Sequence, residues 1–92
     1  MNAQNDDWVN LYEIKFNTPR KQIGNCRYSS NGQLTTELKS LVIMKYKDSN
    51  DIYLLYEFVN GVNDSLLETV EDAMQLAEEE FGVKREDWKK LT

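Results

Sequence analysis

The sequence predicts an α+β fold, an antiparallel β-sheet of three to five strands with one C-terminal α-helix packed across a face. Three observations lead there. Apolar residues alternate with polar ones from residue 8 onward and again over 52–59. Turn-forming clusters separate these runs at Asn31-Gly32 and over 47–51. After the last of them, Val70, Ala73, Ala77 and Phe81 recur at helical spacing. A strand-rich run followed by a helix is the pattern of helices segregated to one face of an antiparallel sheet.

The first strand places Trp8, Asn10, Tyr12, Ile14 and Phe16 on one side and Val9, Leu11, Glu13 and Lys15 on the other. Tyr12, Ile14 and Phe16 are expected to face the core. Asn17-Thr18-Pro19-Arg20 is expected to end it, because Pro19 donates no ladder hydrogen bond and biases Thr18 toward extended or turn geometry. A weak strand is expected over 22–29, then a type I′ hairpin at Asn31-Gly32, whose residues tolerate positive φ. Residues 38–46, with four consecutive apolar residues at their centre, read as the best-formed strand. Lys47-Asp48-Ser49-Asn50-Asp51 turns the chain into a partner strand over 52–59, antiparallel to it. Ile52, Leu54, Tyr56 and Phe58 form one face of that strand, and Tyr53, Leu55, Glu57 and Val59 the other. Asn60-Gly61 closes the stretch.

Two capping boxes compete for the helix start, Ser65-Leu66-Leu67-Glu68 and Thr69-Val70-Glu71-Asp72. Thr69 is favoured, because the apolar stripe begins beside it; Leu66 and Leu67 then lie in a short return strand or turn. Acids at 68, 71 and 72 suit the positive end of the helix, whereas Glu78, Glu79 and Glu80 lie at its negative end. Gly82 is the expected stop. Val83 and Trp88 are expected to fold back onto the core, with Arg85-Glu86-Asp87 as a short turn.

Ninety-two residues make one domain, expected over 8–92 behind a frayed polar segment at 1–7. Cys26 is the single cysteine, so no intramolecular disulfide forms. No leader-like segment is expected at the N-terminus and no apolar run approaches a membrane span, which favours a soluble cytoplasmic protein. Histidine is absent, which removes the commonest general acid/base and metal ligand. No enzyme, no cofactor and no metal site is therefore expected. Asp48-Ser49-Asn50-Asp51 has calcium-ligand types but no EF-hand frame, and reads as a turn.

The stretch Tyr53-Leu54-Leu55-Tyr56-Glu57, a turn, Leu67-Glu68-Thr69-Val70-Glu71-Asp72-Ala73, then Ala77-Glu78-Glu79-Glu80-Phe81-Gly82-Val83 and Trp88 resembles a group of short, uncharacterised bacterial proteins. Members share an aliphatic strand, a turn, an acid-rich helix closing on Glu-Phe-Gly and a nearby Trp. The resemblance spans about residues 52–88. It departs from the group just before the helix, where Ser65, Leu66 and Leu67 replace polar or aromatic residues. It implies a fold and assigns no site.

Charge supplies the functional expectation. The net charge of −5 divides into −3 over 1–13, +6 over 14–47, −10 over 48–83 and +2 over 84–92. Such segregation bears on partners rather than on fold. The leading reading is a non-enzymatic protein–protein interaction module with an acidic surface, of the inhibitor or immunity type that occupies the basic site of a nuclease-like toxin. Its candidate residues are Tyr53, Glu57, Glu68, Glu71, Glu78 and Glu79. An ordinary solvated helix face accounts for the same acids. The alternative is single-stranded nucleic-acid binding through Arg20, Lys21 and Arg27, against which the overall acidity weighs. Cys26 reads either as a small buried hydrophobe or as a thiol activated by neighbouring cations. Finally, if both faces of the 52–59 strand are apolar, one helix cannot cover them, and the uncovered face becomes a partner or homodimer surface.

Overall fold

Alternating apolar side chains fold into strands because each strand can then bury one face against a neighbouring layer. In the computed structural model, which describes residues 8–30 and 32–91, they form β1 (Trp8–Arg20), β2 (Ser29–Ser30), β3 (Gln33–Leu34), β4 (Leu38–Tyr46), β5 (Ile52–Phe58) and β6 (Gly61–Leu67). The helix α1 (Val70–Phe81), a 3-10 turn (Arg85–Asp87) and β7 (Lys89–Lys90) follow. The main sheet has the order β6-β5-β4-β1-β7 and is antiparallel throughout. β2 and β3 pair separately as a small hairpin. The expected α+β architecture is thus present. The expectation for residues 1–7 falls outside the described residues.

One face of the sheet is covered by α1 and the segment between β1 and β4. Leu38, Leu41, Ile43, Ile52, Leu54, Tyr56 and Phe58 meet Ala73, Met74, Ala77 and Phe81 there, with Val83 and Trp88 folded back as anticipated. Each large apolar side chain buried this way contributes roughly 1.5–3 kcal/mol. Tyr28 joins them between Tyr56, Phe58 and Phe81, at ring-centroid distances of 4.6, 5.6 and 6.1 Å.

The helix begins and ends where its chemistry directs. Thr69 Oγ1 accepts from the Asp72 N–H at 3.0 Å. Gly82 adopts φ 71°, and its N–H donates to the Glu78 carbonyl at 2.9 Å. No helix among the described residues is long and apolar enough to cross a membrane.

Three expectations need correction. β1 does not keep one side throughout: its register against β4 shifts between Asn10 and Tyr12, leaving Leu11 as an extra residue. A bulge re-aims everything before it, so Trp8 and Asn10 lie on the face opposite Tyr12 and Ile14. Pro19 does not end β1 either. The strand runs to Arg20 and absorbs the proline as an irregularity between Lys15 and Arg20. Residues 22–28 form no strand; they wrap the C-terminal end of α1 instead, with the Ile23 and Gly24 N–H groups donating to the Glu80 carbonyl at 2.7 and 3.2 Å.

The hairpin at Asn31-Gly32 does form, pairing Ser30 with Gln33, and Gly32 takes φ 80°. Asn31 lies outside the described residues. The short return strand expected near Leu66 and Leu67 is a full seven-residue β6, and β7 on the opposite edge was not anticipated.

Candidate protein-binding face

Among the described residues no layer lies upon the other face of the sheet, and its side chains follow directly from the register. Leu66, Tyr53, Met44 and Asn10 lie abreast across β6, β5, β4 and β1. Asp64, Leu55, Val42 and Glu13 form the next row, and Val62, Glu57, Ser40 and Lys15 the third. Trp8 sits opposite Tyr46 beyond the first row. The centre is therefore apolar, and charge is confined to its margins.

Two adjoining depressions mark this face. One of about 190 Å³ is lined by Trp8, Met44, Tyr46, Tyr53 and Leu55, with Asp64 at its margin. The other, of about 420 Å³, is lined by Val42, Leu55, Val62 and Glu57 among others. Tyr46 packs edge-on against both Trp8 and Tyr53, at 6.2 and 5.5 Å between centroids. Edge-to-face stacking fixes the three rings relative to one another. Val62 is 68% exposed, Leu66 60% and Tyr46 42%. Such apolar surface, contiguous rather than scattered, is characteristic of contact sites.

The candidate acids divide between two sides of the molecule. Tyr53 and Glu57 stand on the open face, where Glu57 accepts from Ser40 Oγ at 2.9 Å and pairs with Lys39 at 3.8 Å. Glu71, Glu78 and Glu79 are exposed on α1, and Glu68 in the turn preceding it. Because α1 packs on the covered face, its outer side points away from Tyr53 and Glu57. Glu71 forms an ion pair with Arg85 at 2.6 Å, and the hydrogen bond from that guanidinium holds the Glu71 carboxyl below its ordinary pKa. Glu79 accepts from Gln75 at 2.9 Å. Only the Lys39–Glu57 pair, of the two ion pairs among the described residues, joins the basic and acidic blocks of the sequence.

Glu80 does not stand with its neighbours on the helix surface. It is only 6% exposed, and its Oε1 accepts from Gln22 Nε2 at 2.6 Å and from the Cys26 N–H at 3.0 Å. Cys26 itself is exposed, contrary to its reading as a buried hydrophobe. Partial desolvation and the adjacent Glu80 carboxyl push its thiol pKa up, opposite to the activation that neighbouring cations suggested. Among the alternative basic residues, Arg20 is half-buried, stacks on Phe16 at 4.6 Å and donates to the Phe81 carbonyl at 3.3 Å. Its guanidinium thereby caps α1. Lys21 and Arg27 are exposed in the loop.

Sequence reasoning placed Tyr53 and Leu55 on this face but missed four contributors. Trp8 was misplaced because a bulge leaves no local composition signal. Val62, Asp64 and Leu66 were missed because only Leu66 and Leu67 were read as a short return strand or turn, although Val62, Asp64 and Leu66 alternate with Asn63, Ser65 and Leu67 and could have revealed the whole of β6. The architecture is a five-stranded antiparallel sheet with a helix on one side and an amphipathic open surface on the other. Comparison of the chain with protein-family models, curated proteins and solved structures returned no match.

Proposed function

We propose that this chain is a non-enzymatic protein-interaction module that meets its partner through the open face of the sheet. The observation carrying this reading is the uninterrupted apolar centre formed by Tyr53, Met44, Leu55 and Val42, extended by Leu66 and Val62 at one margin and by Trp8 and Tyr46 at one end. A sheet face solvated in isolation would alternate to polar residues here. Tyr53 is the central anchor, since a rigid aromatic flanked by aliphatics supplies large contact area at low entropic cost.

The exposed acids Glu68, Glu71, Glu78 and Glu79 act at longer range on this reading, steering a partner with basic surface in a salt-dependent manner. An inhibitor or immunity-type role in a bacterial cytoplasm is one form such a module takes.

Photo-crosslinking tests the reading. A benzophenone side chain at position 53 is compared with one at Glu78, in the cells that make the protein. Protein adducts formed from position 53, and lost when Val62→Lys and Leu66→Lys are added, are the expected result. Adducts from position 78 alone, or none from either, overturn it.

A further inference from the structure

We propose that Asn60 is a modification site: it deamidates through the backbone nitrogen of Gly61, and its conversion unfastens the segment leading into β4 from the turn between β5 and β6. The proposal is independent of what the open face binds.

Two features bring the chemistry within reach. Asn60 is exposed, and it lies in a tight turn, since Phe58 and Gly61 on either side already pair. The Gly61 nitrogen is the next main-chain nitrogen after the Asn60 side chain, so attack on Cγ is intramolecular and closes a succinimide ring. Glycine carries no side chain to shield that nitrogen. Asn50 and Asn63 are each followed by aspartate, whose side chain does.

The step balances with water as the only co-reactant. Hydroxide takes the Gly61 amide proton, and the nitrogen bonds to Asn60 Cγ while negative charge gathers on Oδ1. That charge collapses, the Cγ–Nδ2 bond breaks, and Nδ2 takes up protons and leaves as ammonia. Water then opens the succinimide. Addition at Cγ gives aspartate; addition at the main-chain carbonyl gives isoaspartate, in which the chain runs on through the former side chain. Asn60 Oδ1 already accepts from the Thr36 N–H at 2.9 Å and from Thr36 Oγ1 at 3.2 Å. Both donors are aimed at the atom on which the charge develops.

The same contacts make the conversion consequential. Asn60 Nδ2 donates to the Leu34 carbonyl at 3.1 Å. A backbone N–H only donates and a carbonyl only accepts, so the amide can stand only one way between Thr36 and Leu34. It clasps the two residues with the opposite ends of one group. The neighbouring Val59 N–H adds a bond to the Glu37 carbonyl at 2.8 Å. Aspartate at this position has acceptors at both ends: it keeps the Thr36 contacts but sets a charged oxygen against the Leu34 carbonyl. Isoaspartate adds a carbon to the main chain of the tight turn and carries its carboxylate away from both partners.

Ageing the intact folded chain in mildly alkaline buffer tests the proposal, with the chain unfolded in urea aged beside it. Trypsin cuts after Lys47 and Lys84 and nowhere between, so residues 48–84 are recovered as one peptide. Its fragmentation reports which asparagine has gained the mass of oxygen in place of NH, and enzymatic methylation counts isoaspartate. The folded chain should convert at Asn60 ahead of Asn50 and Asn63. In the isoaspartyl chain the Thr36 amide should exchange its hydrogen about fivefold faster or more, the equivalent of one lost hydrogen bond. Asn60→Asp, made directly, should keep that protection because its carboxylate still accepts from Thr36.

An Asn60 that stays intact in the folded chain while the unfolded chain converts overturns the proposal. An isoaspartyl chain whose Thr36 amide exchanges as slowly as before overturns it equally, since the side chain is then no clasp.

Discussion

The Cys26 backbone N–H donates to the Glu80 carboxyl at 3.0 Å, joining a loop to the last turn of the helix across 54 positions of sequence. Gln22 Nε2 binds the same oxygen, and Gly24 passes so close that an added Cβ would fall within the carboxyl group. Glu80→Ala leaves the Cys26 amide and the Gln22 side chain without this acceptor, and should cost about 1–3 kcal/mol in urea unfolding. Gly24→Ala should also destabilise, since Glu80 must give way. Glu80→Gln, which keeps an acceptor oxygen, should cost less than Glu80→Ala.

Cys26 should alkylate slowly for an exposed thiol. Its raised pKa leaves less thiolate near pH 7, so the rate with iodoacetamide should keep climbing above pH 9. Glu80→Gln removes one of the groups that raise it. The pH–rate profile of that variant should shift to lower pH, and an unchanged profile would show that Glu80 has no hold on the thiol.

Tyr28 and Tyr56 predict the alkaline limit. Burial raises both phenol pKa values, Tyr28 further through its hydrogen bond with Tyr56. Both groups therefore hold their protons more tightly folded than unfolded. Stability should be full below about pH 10, the ordinary tyrosine value, and fall as pH rises past it. Phenolate absorbance should accordingly show a component that appears only on unfolding, and Tyr28→Phe should diminish that component.

The helix ends give two further values. Thr69→Ala removes the acceptor for the Asp72 N–H and should cost about 1 kcal/mol. Gly82→Ala places a side chain at φ 71°, where the penalty is about 1–2 kcal/mol. Thermal or urea unfolding measures both, and Gly82→Asn should be the milder change.

Much of the sheet and helix was legible because the forces that form them are local. Residues 38–46 carry an apolar centre, Thr69 and Gly82 carry cap chemistry, and the observed β4 and α1 boundaries follow them. The site was legible in part. Tyr53 and Leu55 declared themselves by alternating against Ile52 and Leu54. Trp8 did not, because whether Leu11 bulges depends on β4 beside it. Glu80 read only as one of three consecutive acids at the negative end of the helix, and the loop at 22–26 is what gives it a buried partner set.

The sequence by itself determined the strand–helix order, the helix caps and the two-sided alternation of β5, with Tyr53 and Leu55 opposite Ile52 and Leu54, since alternation and capping act within a few residues. Only the tertiary structure decided which face stays open, that β7 closes the sheet beside β1, and that the acids around α1 point away from Tyr53. Those outcomes depend on contacts between segments distant in the chain. There, packing against a particular neighbour outweighs local preference.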